Sequence, residues 1–95
     1  MFGKPKPEKQ LVTDGRFEME QDGHVAYLQY SLSPGILVLS HTEVPKELRG
    51  KGISGQLAQA GLDYARENHL KVDVVCDSVA AFIRQHPEYN DLVLK

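Results

Sequence analysis

Three places in this sequence combine residue types and spacings that suit chemistry. The first is Glu47-Leu48-Arg49-Gly50-Lys51-Gly52-Ile53-Ser54-Gly55-Gln56-Leu57, where three glycines and two basic residues fall between a run of strand formers and an amphipathic stretch. The first turn of a helix leaves backbone N–H groups without partners and carries roughly half a positive charge, so an anion is held there without any side chain. Gly50 and Gly52 omit the Cβ atoms that would keep a bulky pyrophosphate from those donors, and Arg49 and Lys51 add charge beside them. The same spacing also reads as a surface turn that uses glycine for positive φ. Two common nucleotide motifs are excluded. Gly52 is followed by Ile53 rather than by the Lys-Ser/Thr of a Walker-type loop, and a short chain with antiparallel-looking strands lacks the repeated βαβ units of a dinucleotide fold.

The second place is His41-Thr42-Glu43, whose outer two residues lie on one side of a strand end. Either His41 or Glu43 is suited to act as a general base if a reacting group lies close by. Solvated strand ends also favour such residues. The third is Cys76, at the end of a strand in register with Val72 and Val74. Buried structural cysteine is one reading. The other is a thiolate stabilised by a neighbouring helix N-terminus, which attacks an acyl group or lines its pocket. Tyr89, after His86-Pro87-Glu88, is either an acid or a packed ring. No metal is expected: His-x-Glu at His41 to Glu43 has no paired cysteines downstream, and His24, His41, His69 and His86 show no ligand spacing.

The elements that must position these groups follow from a chain of 95 residues, which makes one domain with one core. An apolar fraction of 41% with 25% charged residues is ordinary for a soluble protein. A net charge of −2 argues against general nucleic-acid or membrane-surface binding, so any functional positive charge is local. No apolar run approaches the roughly 20 residues of a membrane span, and Met1 to Gln10 has no apolar centre for a signal peptide. A single cysteine excludes an internal disulfide and suits a reducing compartment, so a cytoplasmic protein is expected.

Residues 1–9, with three lysines and two prolines, read as a flexible tail ahead of a domain over 10–95. Arg16 to Met19 alternates as a half-buried strand, and Asp22-Gly23 is a tight hairpin turn. His24 to Leu32 is a second strand. Ser33-Pro34-Gly35 turns it into a third, Ile36 to Val44, which Pro45 ends. From Ile53 to Glu67, the residues Ile53, Leu57, Ala60, Gly61 and Tyr64 recur at helical spacing opposite Gln56, Gln59, Asp63 and Arg66. Lys71 to Cys76 is a fourth strand, parallel to the third by the right-handed crossover rule. Asp77 or Ser78 caps a second helix with Val79, Phe82 and Ile83 on one face, and Pro87 marks its end. Asp91 to Leu94 is expected to add a short last strand. The fold class is therefore α/β (α+β): an antiparallel three-stranded meander, then a β-α-β unit with a parallel pair, then a C-terminal helix.

The chain resembles the GCN5-related N-acetyltransferases, whose phosphate-binding motif is Gln or Arg, two residues, Gly, one residue, then Gly or Ala. Arg49-Gly50-Lys51-Gly52-Ile53-Ser54 matches it with Ser54 in place of the last small residue, and Gly55 follows. It is more closely similar to the small, single-domain acetyltransferase-like subfamily through His41-Thr42-Glu43-Val44-Pro45, Leu48-Arg49-Gly50-Lys51-Gly52, Leu62-Asp63-Tyr64-Ala65, Cys76 and His86-Pro87-Glu88-Tyr89, over about residues 10 to 95. The resemblance implies that Arg49, Gly50, Lys51, Gly52, Ile53, Ser54 and Gly55 hold the pyrophosphate of acetyl-coenzyme A. It also implies that the strand end at Val44 offers backbone groups to the pantetheine arm and the reacting oxygen. Cys76 then lies near the thioester, with His41 and Glu43 as candidate bases. The implied activity is acetyl transfer from acetyl-coenzyme A, without a metal, to a small-molecule or protein amine, by a monomer or weak dimer with no nucleic-acid or membrane partner. The alternatives are a non-catalytic coenzyme A or acyl-coenzyme A module that recruits a protein, and an interaction domain that keeps the fold without the ligand.

Overall fold

The computed structural model describes residues 2–3 and 13–94. Its centre is a sheet in the order β1-β2-β3-β4-β5, formed by Phe2–Gly3, Thr13–Gln21, His24–Ser33, Ile36–Glu43 and Lys71–Val74. The strands β2, β3 and β4 make the expected meander. Asp22 and Gly23 join β2 to β3 with φ of 54° and 80°, the two positive values of a turn whose twist matches that of the strands it connects. Pro34-Gly35 closes the second hairpin, with Ser33 paired to Ile36. The β1 strand lies antiparallel to β2, Phe2 opposite Met19. The expected tail over residues 1–9 otherwise falls outside the described residues.

The helix α1, Ile53–Glu67, occupies the range that its periodicity predicts. Its buried face of Ile53, Leu57, Ala60, Gly61 and Tyr64 packs against Phe17, Leu28 and Leu39 of the sheet, all fully buried. Contact is close at Gly61, where an added Cβ would come within 3.1 Å of Leu28 and 3.3 Å of Leu39. The crossover through α1 makes β5 parallel to β4, from Ile36 opposite Lys71 to Leu39 opposite Val74. The second helix, α2, covers Asp77–Gln85 and buries Val79 and Ile83. Among the described residues, no helix is long and apolar enough to cross a membrane.

Two expectations are corrected. The fourth strand ends at Val74 rather than at Cys76, because the N–H groups of Val75 and Cys76 both donate to the Leu39 carbonyl at 3.0 Å and turn the chain out of the sheet. Cys76 is thus the residue before α2, in extended backbone and without a capping side chain. The last strand over Asp91 to Leu94 reduces to a single parallel bridge between Val72 and Val93. A 3₁₀ turn over Pro87–Leu92 takes its place, burying Tyr89 and Leu92.

Candidate active site

The glycine stretch forms the loop between β4 and α1. Gly50 and Gly52 have φ of 80° and 76°, and a Cβ built on either meets nothing within 4 Å. The glycines are required by the left-handed backbone, and the space over them is open. Gly52 precedes the helix with no side-chain cap, and no acidic residue stands in the first turn. The Gln56 N–H bonds to the Gly52 carbonyl at 3.2 Å. The N–H groups of Ile53, Ser54 and Gly55 therefore precede the helical ladder, where the helix dipole favours negative charge.

The two cations of the loop behave differently. The Arg49 guanidinium Nε–H donates to the Val44 carbonyl at 3.1 Å, tying the loop back to the end of β4. Lys51 leans toward Asp22 of the β2–β3 turn, at 3.8 Å. A cleft of about 280 Å³ continues from Gly52 along α1, lined by Gly55, Gln56, Gln59, Phe82, His86, Glu88 and Tyr89. Phe82 and His86 stack with ring centroids 4.0 Å apart. The His86 Nδ1–H donates to the Phe82 carbonyl at 2.9 Å, since a carbonyl only accepts, and this leaves Nε2 for other partners.

Beyond Leu39, β4 continues without β5, because the parallel register stops at Leu39 and Val74. A bulge interrupts β4 at the same level: Tyr30 pairs with Leu39, but Gln29 pairs with His41, so Ser40 is the extra residue. The Ser40 hydroxyl donates to the Gln29 carbonyl at 3.2 Å. One extra residue exchanges the faces of everything after it. Leu37 and Leu39 point into the core, so unbroken alternation would send His41 inward. Instead Thr42, opposite the buried Leu28, faces the helices, while His41 and Glu43 stand on the uncovered face.

The bulge sorts the candidate residues into two groups. On the uncovered face the His41 Nε2–H donates to the Glu43 carboxylate at 3.2 Å, and the Tyr27 ring lies 6.3 Å from the imidazole. A neutral imidazole that donates from Nε2 presents its lone pair at Nδ1. On the helix side the Thr42 hydroxyl lies 3.1 Å from the Cys76 sulfur, and Cys76 is only 7% exposed. His41 and Glu43 thus come together as expected from their spacing, whereas the neighbour of Cys76 is Thr42, which the sequence left unremarked. Tyr89 has a buried ring, and its hydroxyl donates to Asp63 at 2.8 Å. Burial and that hydrogen bond push the Tyr89 hydroxyl above its ordinary pKa.

A family model described as a GCN5-related N-acetyl-transferase matches residues 16–92. The chain belongs to the GCN5-related N-acetyltransferase family. Among curated relatives, Protein NATD1 of Bos taurus is 42% identical over 52 residues, covering 55% of this chain and 46% of the relative. The Danio rerio protein of the same name is 38% identical over 58 residues, covering 59% and 53%. The chain thus spans about half the length of the curated relatives it matches. The NMR solution structure of a GCN5-like putative N-acetyltransferase from Staphylococcus aureus superposes with a TM-score of 0.67 at 22% identity, over 99% of this chain and 87% of that one. That likeness shows the fold. Among the described residues, no three His, Cys, Asp or Glu side chains group as a metal site.

Proposed function

We propose that this chain binds acetyl-coenzyme A and transfers the acetyl group to an amine. The observation that carries the reading is the coincidence of two openings. A helix start with free N–H donors and Cβ-free glycines lies beside the point where β4 and β5 part. The donors of Ile53, Ser54 and Gly55, with Lys51, would hold the pyrophosphate. The cleft toward Phe82 and His86 would accommodate the nucleotide. The pantetheine arm would then take the place beside β4 that β5 vacates after Val74, using strand backbone groups as a partner strand would.

The acceptor amine approaches from the uncovered face in this reading. His41 Nδ1 takes the amine proton, with Glu43 holding the imidazole in the tautomer that makes this possible. The nitrogen forms a bond to the thioester carbonyl carbon, the carbon–sulfur bond breaks, and the coenzyme A thiolate leaves and is protonated. A backbone N–H at the β4 end by Val44 would meet the oxygen charge that develops. Cys76, on the other side of β4, lines the acyl end of the arm or carries the acetyl group transiently. That separation of Cys76 from the His41–Glu43 pair also gives weight to a second reading, a coenzyme A-binding module that does not turn over.

Calorimetric titration with acetyl-coenzyme A, followed by intact mass with and without Cys76→Ala, tests these readings. Binding followed by the mass gain of one acetyl group, lost in Cys76→Ala, supports an acyl-cysteine. Binding without gain, together with acetylation of an added amine, supports direct transfer. Binding with neither leaves the module, and absence of binding overturns the proposal.

A further inference from the structure

The bulge at Ser40 has a chemical consequence. It costs β4 one ladder position, and what it achieves is to turn Thr42 toward Cys76 and His41 away. The other half of the arrangement comes from β5: Leu39 accepts from both Val75 and Cys76, so the chain leaves the sheet with the Cys76 side chain directed at the same gap. Two independent backbone irregularities, one in each strand of the parallel pair, meet in one contact of 3.1 Å. A threonine that served packing alone would not need its hydroxyl there, since a methyl group fills the same volume.

We propose that Thr42 is the positioning residue for Cys76: its hydroxyl donates to the sulfur and holds it, as a nucleophilic thiolate, toward the gap between β4 and β5. This rests on the reading of Cys76 as the group beside the thioester. A hydroxyl donor favours the thiolate over the thiol, because hydrogen bonds to charged groups are about twice as strong as neutral ones. It also restricts the sulfur to one rotamer, and β-branched Thr42 is itself stiff about χ1. The start of α2 adds to the same effect, since Cys76 directly precedes a nine-residue helix.

Cys76 is the single cysteine of the chain, so every alkylation of a thiol reports on it. Iodoacetamide is the probe: the thiolate displaces iodide and forms a carbon–sulfur bond. The rate is measured against pH for the wild type, Thr42→Val and Thr42→Ser, with circular dichroism as the check on folding. Thr42→Val is isosteric and keeps the strand. The expected result is a rate about tenfold lower at neutral pH in Thr42→Val, a plateau at high pH equal to that of the wild type, and recovery in Thr42→Ser. Equal rates at every pH in Thr42→Val, or a loss that is uniform in pH and shared by Thr42→Ser, would overturn the proposal. The readout needs no acyl donor. A Thr42 effect in a protein that fails to bind acetyl-coenzyme A would therefore overturn the proposed function while keeping the control of the Cys76 sulfur by Thr42, and acetyl-coenzyme A binding without a Thr42 effect would do the reverse.

Discussion

The two ends of α1 are built in opposite ways. At the N-terminal end the backbone enters through Gly52 at φ 76°, no side chain caps the first turn, and the nearest charge pair is a 3.8 Å approach of Lys51 to Asp22. At the C-terminal end almost every polar group is engaged. Asn68 caps the Tyr64 carbonyl, and Arg66 donates to both carboxylate oxygens of Asp91 at 3.0 and 3.1 Å and to the Glu88 carbonyl at 2.9 Å. Lys71 reaches the Asp91 carbonyl, and Tyr89 reaches Asp63. Chain ends and helix ends need partners, so the satisfied end anchors the fold by tying Pro87–Leu92 to α1. The donors of the other end, on Ile53, Ser54 and Gly55, are the ones that the proposed function assigns to coenzyme A.

If that contrast is right, substitutions at the first end change ligand affinity and those at the second change stability. The largest effect is expected at Gly52. Gly52→Glu places a side chain where a Cβ now meets open space, forces a non-glycine residue to φ near 76°, and adds negative charge to an anion site. Coenzyme A binding should disappear by calorimetry, while the strained residue costs roughly 1–2 kcal/mol of stability. Undiminished affinity in a folded Gly52→Glu protein would erase the contrast.

The sequence makes the satisfied end partly legible and the open end largely so. Asp22-Gly23 demands its turn, and the apolar spacing from Ile53 to Tyr64 places the buried face of α1 because side-chain period and burial are directly coupled. The glycine loop is legible because positive φ is written as glycine. The Ser40 bulge is not, since four apolar residues, Ile36 to Leu39, give way to four polar ones, Ser40 to Glu43, and a pattern without alternation has no break to mark the extra residue. His41 and Glu43 are paired correctly from their spacing, but the face they occupy depends on that bulge, and so does the meeting of Thr42 with Cys76. The 3₁₀ turn at Pro87–Leu92 was hidden for a different reason: it is held by Arg66 and Lys71 across 20 to 25 residues of sequence, and local pattern does not see such partners.

The second effect is at the anchored end and depends on pH. The Arg66 guanidinium, hydrogen-bonded to Asp91, holds that carboxyl below its usual range. A carboxylate with a depressed folded-state pKa contributes stability that is present above its unfolded value, about 3.9, and lost as pH falls through the folded value. Asp91→Asn should therefore lower Tm at neutral pH, by no more than a few degrees for so exposed a pair. The two melting curves should converge in acid. Coenzyme A affinity should stay unchanged, and an affinity loss matching the stability loss would show that the two ends are coupled.

The smallest effect sharpens the contrast at the open end. Lys51 and Asp22 are 43% and 73% exposed, and a surface pair at 3.8 Å contributes little to the fold. For an incoming anion the same pair matters more, because the Asp22 carboxylate competes with phosphate for Lys51 and repels it. Asp22→Asn keeps the turn, since Asn also tolerates the positive φ of 54° found there. Tm should not move, whereas coenzyme A affinity should rise about two- to fivefold at low salt, the size of a surface ion-pair energy. The gain should shrink as ionic strength rises and the Debye length falls to about 10 Å at 0.1 M. Calorimetry at two salt concentrations reads both quantities. A fall in Tm without a gain in affinity would assign Asp22 to the fold, and the β2–β3 turn would then belong with the anchored end of α1 rather than with the open one.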